Sequence, residues 1–337
     1  MAHERILLAH GGGGWLTQQL IADMVVSRFA NPALAPLGDS AVLDQPAGRL
    51  AFTTDTYVVN PLRFPGGDIG RLAVCGTVND LAMSGARPLF ISLALILEEG
   101  LPLDDLGAIL DSAKAAADEA GVQVACGDTK VVERGAADGC YINTSGIGVI
   151  PDGVDLGPHR VEPGDAVLVS GTIGDHGIAI MSQREGLSFT TPVESDVAPL
   201  AGLVEAILGA GGEGVHALRD PTRGGVGMIV CEVAEACGRD VELSEAALPV
   251  RPEVRGACEL LGLDPLYVAN EGKVVAFCSQ GAAQAALEAM RAHPLGTEAA
   301  IIGRVLDGQR GRVTLATEIG GKRVVEKPYG EQLPRIC

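Results

Sequence analysis

The chain has 337 residues, enough for two domains that each bury a core. Hydrophobic residues at 47% against 20% charged exclude wholesale disorder, and with only 3% aromatics the cores must be built from Ala, Val, Leu and Ile, turned by 46 glycines. A formal net charge of −18, with no cluster of Lys or Arg against it, argues against a nucleic-acid partner.

Residues 1–14 carry too short an apolar run, with the wrong flanks, for a signal peptide. A strand is expected over 49–59, then a helix over 68–86 with Asp68 as N-cap and Pro88 beyond its end. Residues 89–97 read as a buried strand, and this longest apolar stretch falls far short of a membrane span. Leu103, Leu106, Leu110, Ala113 and Ala117 recur at helical spacing up to Gly121, a C-cap. Residues 122–126 and 141–150 are further strands. Pro151-Asp152-Gly153 and Gly157-Pro158 mark a linker. Beyond it, strands are expected over 165–170, 273–278, 301–306 and 312–315, and helices over 199–208, 225–237 and 282–293. The stretch 327–337 has two prolines and no periodicity, and reads as an extended, mobile tail.

The eight cysteines form no C-x-x-C pair, which argues against zinc and thioredoxin-type chemistry. Cys75, Cys126, Cys231, Cys237 and Cys278 fall in apolar periodic segments and are expected to be buried thiols in a reduced, cytoplasmic compartment.

Three features point to chemistry. Acidic residues stand beside glycine or within elements that disfavour them: Asp39 in Gly38-Asp39-Ser40, Asp55 in a Thr-rich strand, Asn79-Asp80 in mid-helix, and Asp128 in Gly127-Asp128-Thr129-Lys130. Any one could make an Asx turn or a cap, but together they suit Mg²⁺ and phosphate, with Lys130 placed to neutralise a transferring phosphoryl group. Glycine-rich segments come second. His10-Gly11-Gly12-Gly13-Gly14 could close its N–H groups on phosphate, and Arg219-Asp220-Pro221-Thr222-Arg223-Gly224-Gly225 opens a helix where anions bind. Neither matches a Walker A or dinucleotide pattern. Third, Cys337 follows Leu333-Pro334-Arg335-Ile336, an apolar, proline-stiffened arm that suits a carrier thiol. An accidental terminal cysteine is the bland alternative.

These segments resemble the HypE family of hydrogenase maturation factors along nearly the whole chain. The likeness rests on AHGGGG at 9–14, TDTYVVNPLRFPGGDIG at 54–70 and CGTVNDLAMSGARP at 75–88. It continues through ILEEGLP at 96–102, GDTKVVERGA at 127–136, SGTIGDHG at 170–177, LRDPTRGGV at 218–226 and ANEGK at 269–273. PRIC at 334–337 is the most specific segment, because aminoimidazole ribonucleotide synthetase, selenophosphate synthetase and thiamine-monophosphate kinase, of the same superfamily, lack it. The family commonly has two adjacent acidic residues where this chain has Asp39-Ser40.

The resemblance implies an α/β plus α+β, two-domain fold of the aminoimidazole ribonucleotide synthetase type, with N-terminal domains pairing strands in a homodimer. The units would be 1–153, 154–320 and a flexible tail over 321–337. It implies that Cys337 accepts a carbamoyl group from a HypF-type carbamoyltransferase. ATP-dependent dehydration would then turn this group into a thiocyanate, whose cyanide passes to iron on a HypC–HypD complex. Implied site residues are Asp39, Asp55, Asp80 and Asp128 for Mg²⁺; Gly12, Gly13, Asp55, Asn79, Asp80, Asp128, Thr129, Lys130, Arg223 and Gly224 for the nucleotide; and Cys337, Lys130 and Glu271 for catalysis. Glu271 could instead pair with Lys273, and His10 and His176 are weaker acid–base candidates. Two rival readings remain: a superfamily kinase or synthetase acting on a free small molecule, and a non-catalytic carrier in metallocentre assembly.

Overall fold

The structure, a computed structural model, describes residues 4–38, 40–44, 47–186, 193–330, 333 and 335–337. Asp39 lies outside them. After two short N-terminal helices, α1 (Trp15–Leu20) and α2 (Ser27–Phe29), the first domain contributes β1 (Arg49–Tyr57), the short strands β2 (Arg63–Phe64) and β3 (Gly67–Asp68), and α3 (Ile69–Met83). Then come β4 (Arg87–Glu98), α4 (Leu103–Ala120), β5 (Gln123–Val132) and β6 (Cys140–Ile150). The long strands form one sheet in the order β1-β6-β4-β5. All its pairings are antiparallel except β4 with β5, a parallel pair that α4 connects by the crossover such a pair needs.

Local chemistry accounts for these elements. Asp68 caps α3, accepting from the Arg71 N–H at 2.9 Å, and Gly121 ends α4 in the left-handed conformation at φ 70°. Helix α3 is buried on nearly every side, because it lies between the sheet, α4 and the second domain. Small residues allow this close approach. A Cβ on Gly70 would stand 2.1 Å from the Ile109 carbonyl oxygen, and one on Gly76 would stand 2.2 Å from the Tyr57 hydroxyl.

The second domain adds β7 (Ala166–Val169), α5 (Asp175–Arg184), α6 (Ala201–Gly211), β8 (Val215–Arg219), α7 (Gly225–Cys237), β9 (Val241–Ser244) and α8 (Pro252–Leu261). It closes with β10 (Val275–Cys278), α9 (Gln280–Ala292), β11 (Ala300–Val305), β12 (Val313–Ala316) and β13 (Lys322–Val325). Its seven-stranded mixed sheet runs β13-β12-β9-β11-β7-β10-β8. Val226, Ile229, Val230 and Val233 of α7 fill one core, while α6 and α9 share a second with Leu168, Ala276 and Cys278.

Three expectations change. Strand β5 runs on through Gly127-Asp128-Thr129-Lys130 instead of stopping before it, because glycine at 127, whose Cβ would sit 2.1 Å from the Leu93 carbonyl oxygen, lets β4 and β5 stay paired. Cys126 is exposed, since a bulge at Ala125, where the β4–β5 register shifts, breaks the alternation that would place it with buried Val124. Regular structure also passes residue 320, where the turn at Thr317–Gly321 folds β13 back onto β12. Among the described residues no helix is long and apolar enough to cross a membrane.

The α3–α4 crossing sets a test of the packing. Gly70→Ala should cost about 1–3 kcal/mol of stability by forcing the two helices apart, read as a lowered denaturation midpoint. A midpoint equal to that of the parent chain would show that the crossing yields.

Candidate active site

Period-two alternation along β1 turns Thr53, Asp55 and Tyr57 toward α3 and leaves Thr54 and Thr56 on the other face. The Thr53 hydroxyl donates to Asp80 Oδ2 at 2.7 Å, and the Tyr57 hydroxyl lies 3.4 Å from Asp55 Oδ2. One turn of α3 therefore sets Asp80 beside Asp55. Its neighbour Asn79 serves as a clamp: Nδ2 donates to the carbonyls of Ala198 and Glu271, both at 3.1 Å, and Oδ1 accepts the Leu200 N–H at 2.8 Å. With its amide engaged in this way, Asn79 holds the Glu271 loop over the first domain.

Glu271 is 3% exposed, and its Oε1 is buried without a hydrogen-bond partner. Its N–H donates to Asp196 Oδ1 at 3.0 Å. The pairing of Glu271 with Lys273 is not found, because Lys273 Nζ instead meets Asp196 Oδ2 at 3.0 Å. Gly272 makes this possible, since a Cβ there would lie 1.8 Å from the Asp196 carbonyl oxygen.

The turn before α7 closes the cleft. Gly224 and Gly225 take φ of 70° and 62°, and a Cβ on Gly225 would stand 2.6 Å from the Val268 carbonyl oxygen. Arg223 Nη2 reaches to 3.8 Å from Asp55 Oδ1, and the same guanidinium lines the chamber beside Cys337. The tail is thus docked rather than extended. The Asn60 N–H donates to the Arg335 carbonyl at 3.2 Å, Arg335 pairs with both oxygens of Asp138 at 3.0 Å, and Ile336 is buried. Cys337 lines a chamber of about 20 Å³ with Asp55, Tyr57, Asp220, Arg223 and Glu271, and a wider cavity of about 560 Å³ opens beside it over Thr56, Met228 and Tyr267.

Burial sets the electrostatics, and crowded like charges add to it. Burial, then Asp80, pushes the Asp220 carboxyl up to about 7. Burial raises Asp80, with Asp55 adding repulsion, and Glu271 stands well above the usual carboxylate range through burial and then Asp220. The Cys337 thiol is pushed up to about 12 by burial and then Glu271, with Arg223 opposing. Asp220 and Tyr57 lay in recognised motifs but carried no role, and Asp196 gave no signal in the sequence.

The other expected residues lie elsewhere. Strand β5 is three strand spacings from β1 across the sheet, ~14 Å, so Asp128, Thr129 and Lys130 do not join Asp55 and Asp80 within one chain. Lys130 Nζ meets both Asp128 oxygens at 2.6 Å, and the Thr129 N–H donates to Asp128 Oδ1 at 2.8 Å. The glycine loop starts at this edge: a Cβ on Gly11 would stand 2.7 Å from the Val131 nitrogen. Gly13 donates its N–H to Thr17 Oγ1 at 2.9 Å. His10 Nδ1 accepts from the Leu7 N–H, which makes it a turn residue.

The families AIR synthase related protein, N-terminal domain, and AIR synthase related protein, C-terminal domain, match residues 37–150 and 162–316. Carbamoyl dehydratase HypE of Bradyrhizobium diazoefficiens is 53% identical over 98% of this chain and 95% of its own length. The chain belongs to the carbamoyl dehydratase HypE family. Among solved structures, the hydrogenase maturation protein HypE in complex with ATP is 48% identical, with a TM-score of 0.94 over 98% of this chain and 99% of that one. The structure of a HypE–HypF complex gives 49% identity and a TM-score of 0.80 over 92% of this chain and 99% of that one. The expected two-domain synthetase fold is therefore the one found.

The crowding predicts a pH dependence. Asp220 titrates near 7 folded against a usual 3.8, so between those values the folded chain holds a proton that the unfolded chain releases. Stability contributed by the neutral carboxyl is full below pH 3.8 and is lost as pH rises through 7. Without divalent cations, Asp220→Asn should therefore melt above the parent chain at pH 8, with the gap narrowing toward pH 5. Parallel melting curves would remove Asp220 from the cluster.

Proposed function

We propose that this chain carries a carbamoyl group on Cys337 and dehydrates it to a thiocyanate with ATP, supplying the cyanide ligand of a hydrogenase iron. The supporting observation is the Cys337 thiol itself, seated in a chamber of carboxyl groups with one guanidinium beside it. A kinase acting on a free small molecule would have no use for a thiol there. A passive carrier would have no use for Glu271, a buried acid whose Oε1 lacks a partner.

Among the described residues no three His, Cys, Asp or Glu side chains converge into a metal cage. Asp55 and Asp80 instead suit the way magnesium is held, by one or two carboxylates together with nucleotide phosphates. Bound there, Mg²⁺ would offset charge on the phosphates and relieve the repulsion that adds to burial in raising Asp80 and Glu271. In the reaction the carbamoyl oxygen attacks the γ-phosphorus and ADP leaves. The oxygen then departs as phosphate while nitrogen loses both protons, and S–C(=O)–NH₂ becomes S–C≡N. Glu271 is placed to accept a proton from nitrogen, and Arg223 to steady charge on the transferring group. Asp128, Thr129, Lys130, Gly12, Gly13 and Gly224 are proposed to meet the nucleotide.

A HypF-type carbamoyltransferase is the proposed donor and a HypC–HypD complex the acceptor, in the cytoplasm. A homodimer through the first-domain sheet accounts for the exposure of Leu50, Phe52 and Ile96 on it.

Incubated with the HypF-type partner, carbamoyl phosphate and MgATP, the chain should gain one carbamoyl mass on Cys337 and then lose one water. Glu271→Gln and Asp80→Asn should keep the first step and slow the second by about 10²-fold or more. Intact-mass spectrometry with thiol mapping reads both steps. An adduct on Cys126, or none, would sink the carrier role. Lengthening the tail by Gly-Ser after Cys337 should also slow dehydration of pre-carbamoylated protein in a single turnover, because the chamber beyond the thiol holds only about 20 Å³. An equal rate would mean that the chamber opens or that the added residues run into the cavity of about 560 Å³ that Cys337 also lines.

A further inference from the structure

His176 is fully buried on α5, outside the carboxylate chamber, and the reaction described above makes no use of it. Its Nε2 lies 3.0 Å from the Ile336 carbonyl oxygen and its Nδ1 lies 2.8 Å from Ser195 Oγ. Phe64 packs edge-on against the ring, with centroids 5.5 Å apart.

The proton arrangement follows from the partners. A carbonyl only accepts, so Nε2 carries the hydrogen and donates to Ile336. Nδ1 of the neutral ring then accepts from the Ser195 hydroxyl, whose oxygen in turn accepts the Val197 N–H at 3.2 Å. Burial holds the imidazole below its usual pKa range, which agrees with this neutral form. The relay is complete from the backbone at 197 to the backbone at 336.

The strap that carries Ser195 has a second duty. Its next residue, Asp196, accepts the Glu271 N–H and pairs with Lys273. The strap is itself fixed to the first domain, where the Ser195 N–H donates to the Pro65 carbonyl at 2.8 Å and Gly66 leaves no room for a Cβ beside Ser195. Two adjacent residues therefore register the tail and the Glu271 loop on one support. On the tail side, Leu333 approaches Gly177, where a Cβ would lie 3.3 Å from its Cδ1.

We propose that His176 is the latch of the carrier arm: its Nε2–H captures the Ile336 carbonyl, and through Ser195 it sets Cys337 in register with Glu271. It is a positioning residue, since it touches the peptide before the carrier and no reacting atom. The inference deepens the function proposed above and rests on that reading for the role of Glu271, so its main test does not use activity.

The chain's own cysteines supply the readout. Timed iodoacetamide labelling of the full-length protein, mapped by peptide mass, reports Cys337 against exposed Cys126 as reference, with buried Cys75 and Cys140 as sentinels of the fold. His176→Phe keeps the ring and removes the donor, and should raise Cys337 labelling about tenfold, as expected for one lost hydrogen bond of ~1.4 kcal/mol. Cys75 and Cys140 should remain protected. His176→Gln, which can donate at similar reach, should restore much of the protection. In the activity arm, His176→Phe should lower single-turnover dehydration about tenfold with the KM for ATP unchanged. Unchanged Cys337 labelling in His176→Phe overturns the latch. Labelling of Cys75 and Cys140 together with Cys337 also overturns it, because His176 then serves the whole fold. Failure of His176→Gln to protect overturns the hydrogen bond as its basis. Absence of dehydration in the parent chain, alongside the expected labelling pattern, would count against the proposed reaction and leave the latch standing.

Discussion

Asp55, Asp80, Asp220 and Glu271 crowd one half-buried cleft with Arg223 as the guanidinium among them, and their mutual repulsion is the constraint around which the molecule is arranged. Burial together with that repulsion raises Asp80, Asp220 and Glu271 above the ordinary carboxylate range. Such an arrangement costs stability, and the fold must impose it from both sides. Helix α3 does so from the first domain, bringing Asp80 to the cleft and using Asn79 to grip the backbone at 198, 200 and 271. The glycines of α3 let it lie deep enough between layers to reach both β1 and the second domain.

The same field defines what Cys337 can do when docked. A thiol raised to about 12 is almost wholly protonated near neutral pH and is a poor nucleophile. An S-carbamoyl group has no thiol proton to lose, so it pays no such penalty in the chamber. On the proposed reaction, loading belongs outside the cleft and dehydration inside it. That division follows from burial and from Glu271 beside the thiol, and it gives the arm a reason to exchange between two places. The backbone contacts at Arg335 and Ile336 suit this exchange, because they hold the arm without engaging the sulfur.

Strong local periodicity made much of the fold legible. The caps at Asp68 and Gly121, the apolar run of β4 and the helical spacing of α4 all fall within a few residues of expectation. Helix α5 carried no readable stripe, since it buries Asp175 and His176 along with its apolar residues, whereas α8 shows one in Val254, Ala257 and Cys258 at helical spacing. Residues of the site that stand beside glycine, such as Arg223 and Glu271, could be picked out. Asp196 and Tyr57 could not, because their roles arise from contacts across more than 70 and about 20 positions of chain. Periodicity also misjudged the tail. Its lack of pattern reflects capture by scattered partners, among them Asn60, Asp138 and His176, that no local rule connects.

The nucleotide residues proposed here fall into two groups on opposite edges of one sheet. Asp55 on β1 and the α7 turn form one; the glycine loop and Asp128-Thr129-Lys130 on β5 form the other. Two intervening strands keep them apart, and no side-chain rotation spans that distance. The face of the sheet that carries Leu50 and Phe52 is open to solvent, an apolar surface of the kind that marks a contact with a partner. In the proposed homodimer one contact covers that surface and brings the β5 edge of one copy toward the β1 edge of the other. On this view the split in the sequence motifs is a consequence of pairing, and a single chain holds two halves of different sites.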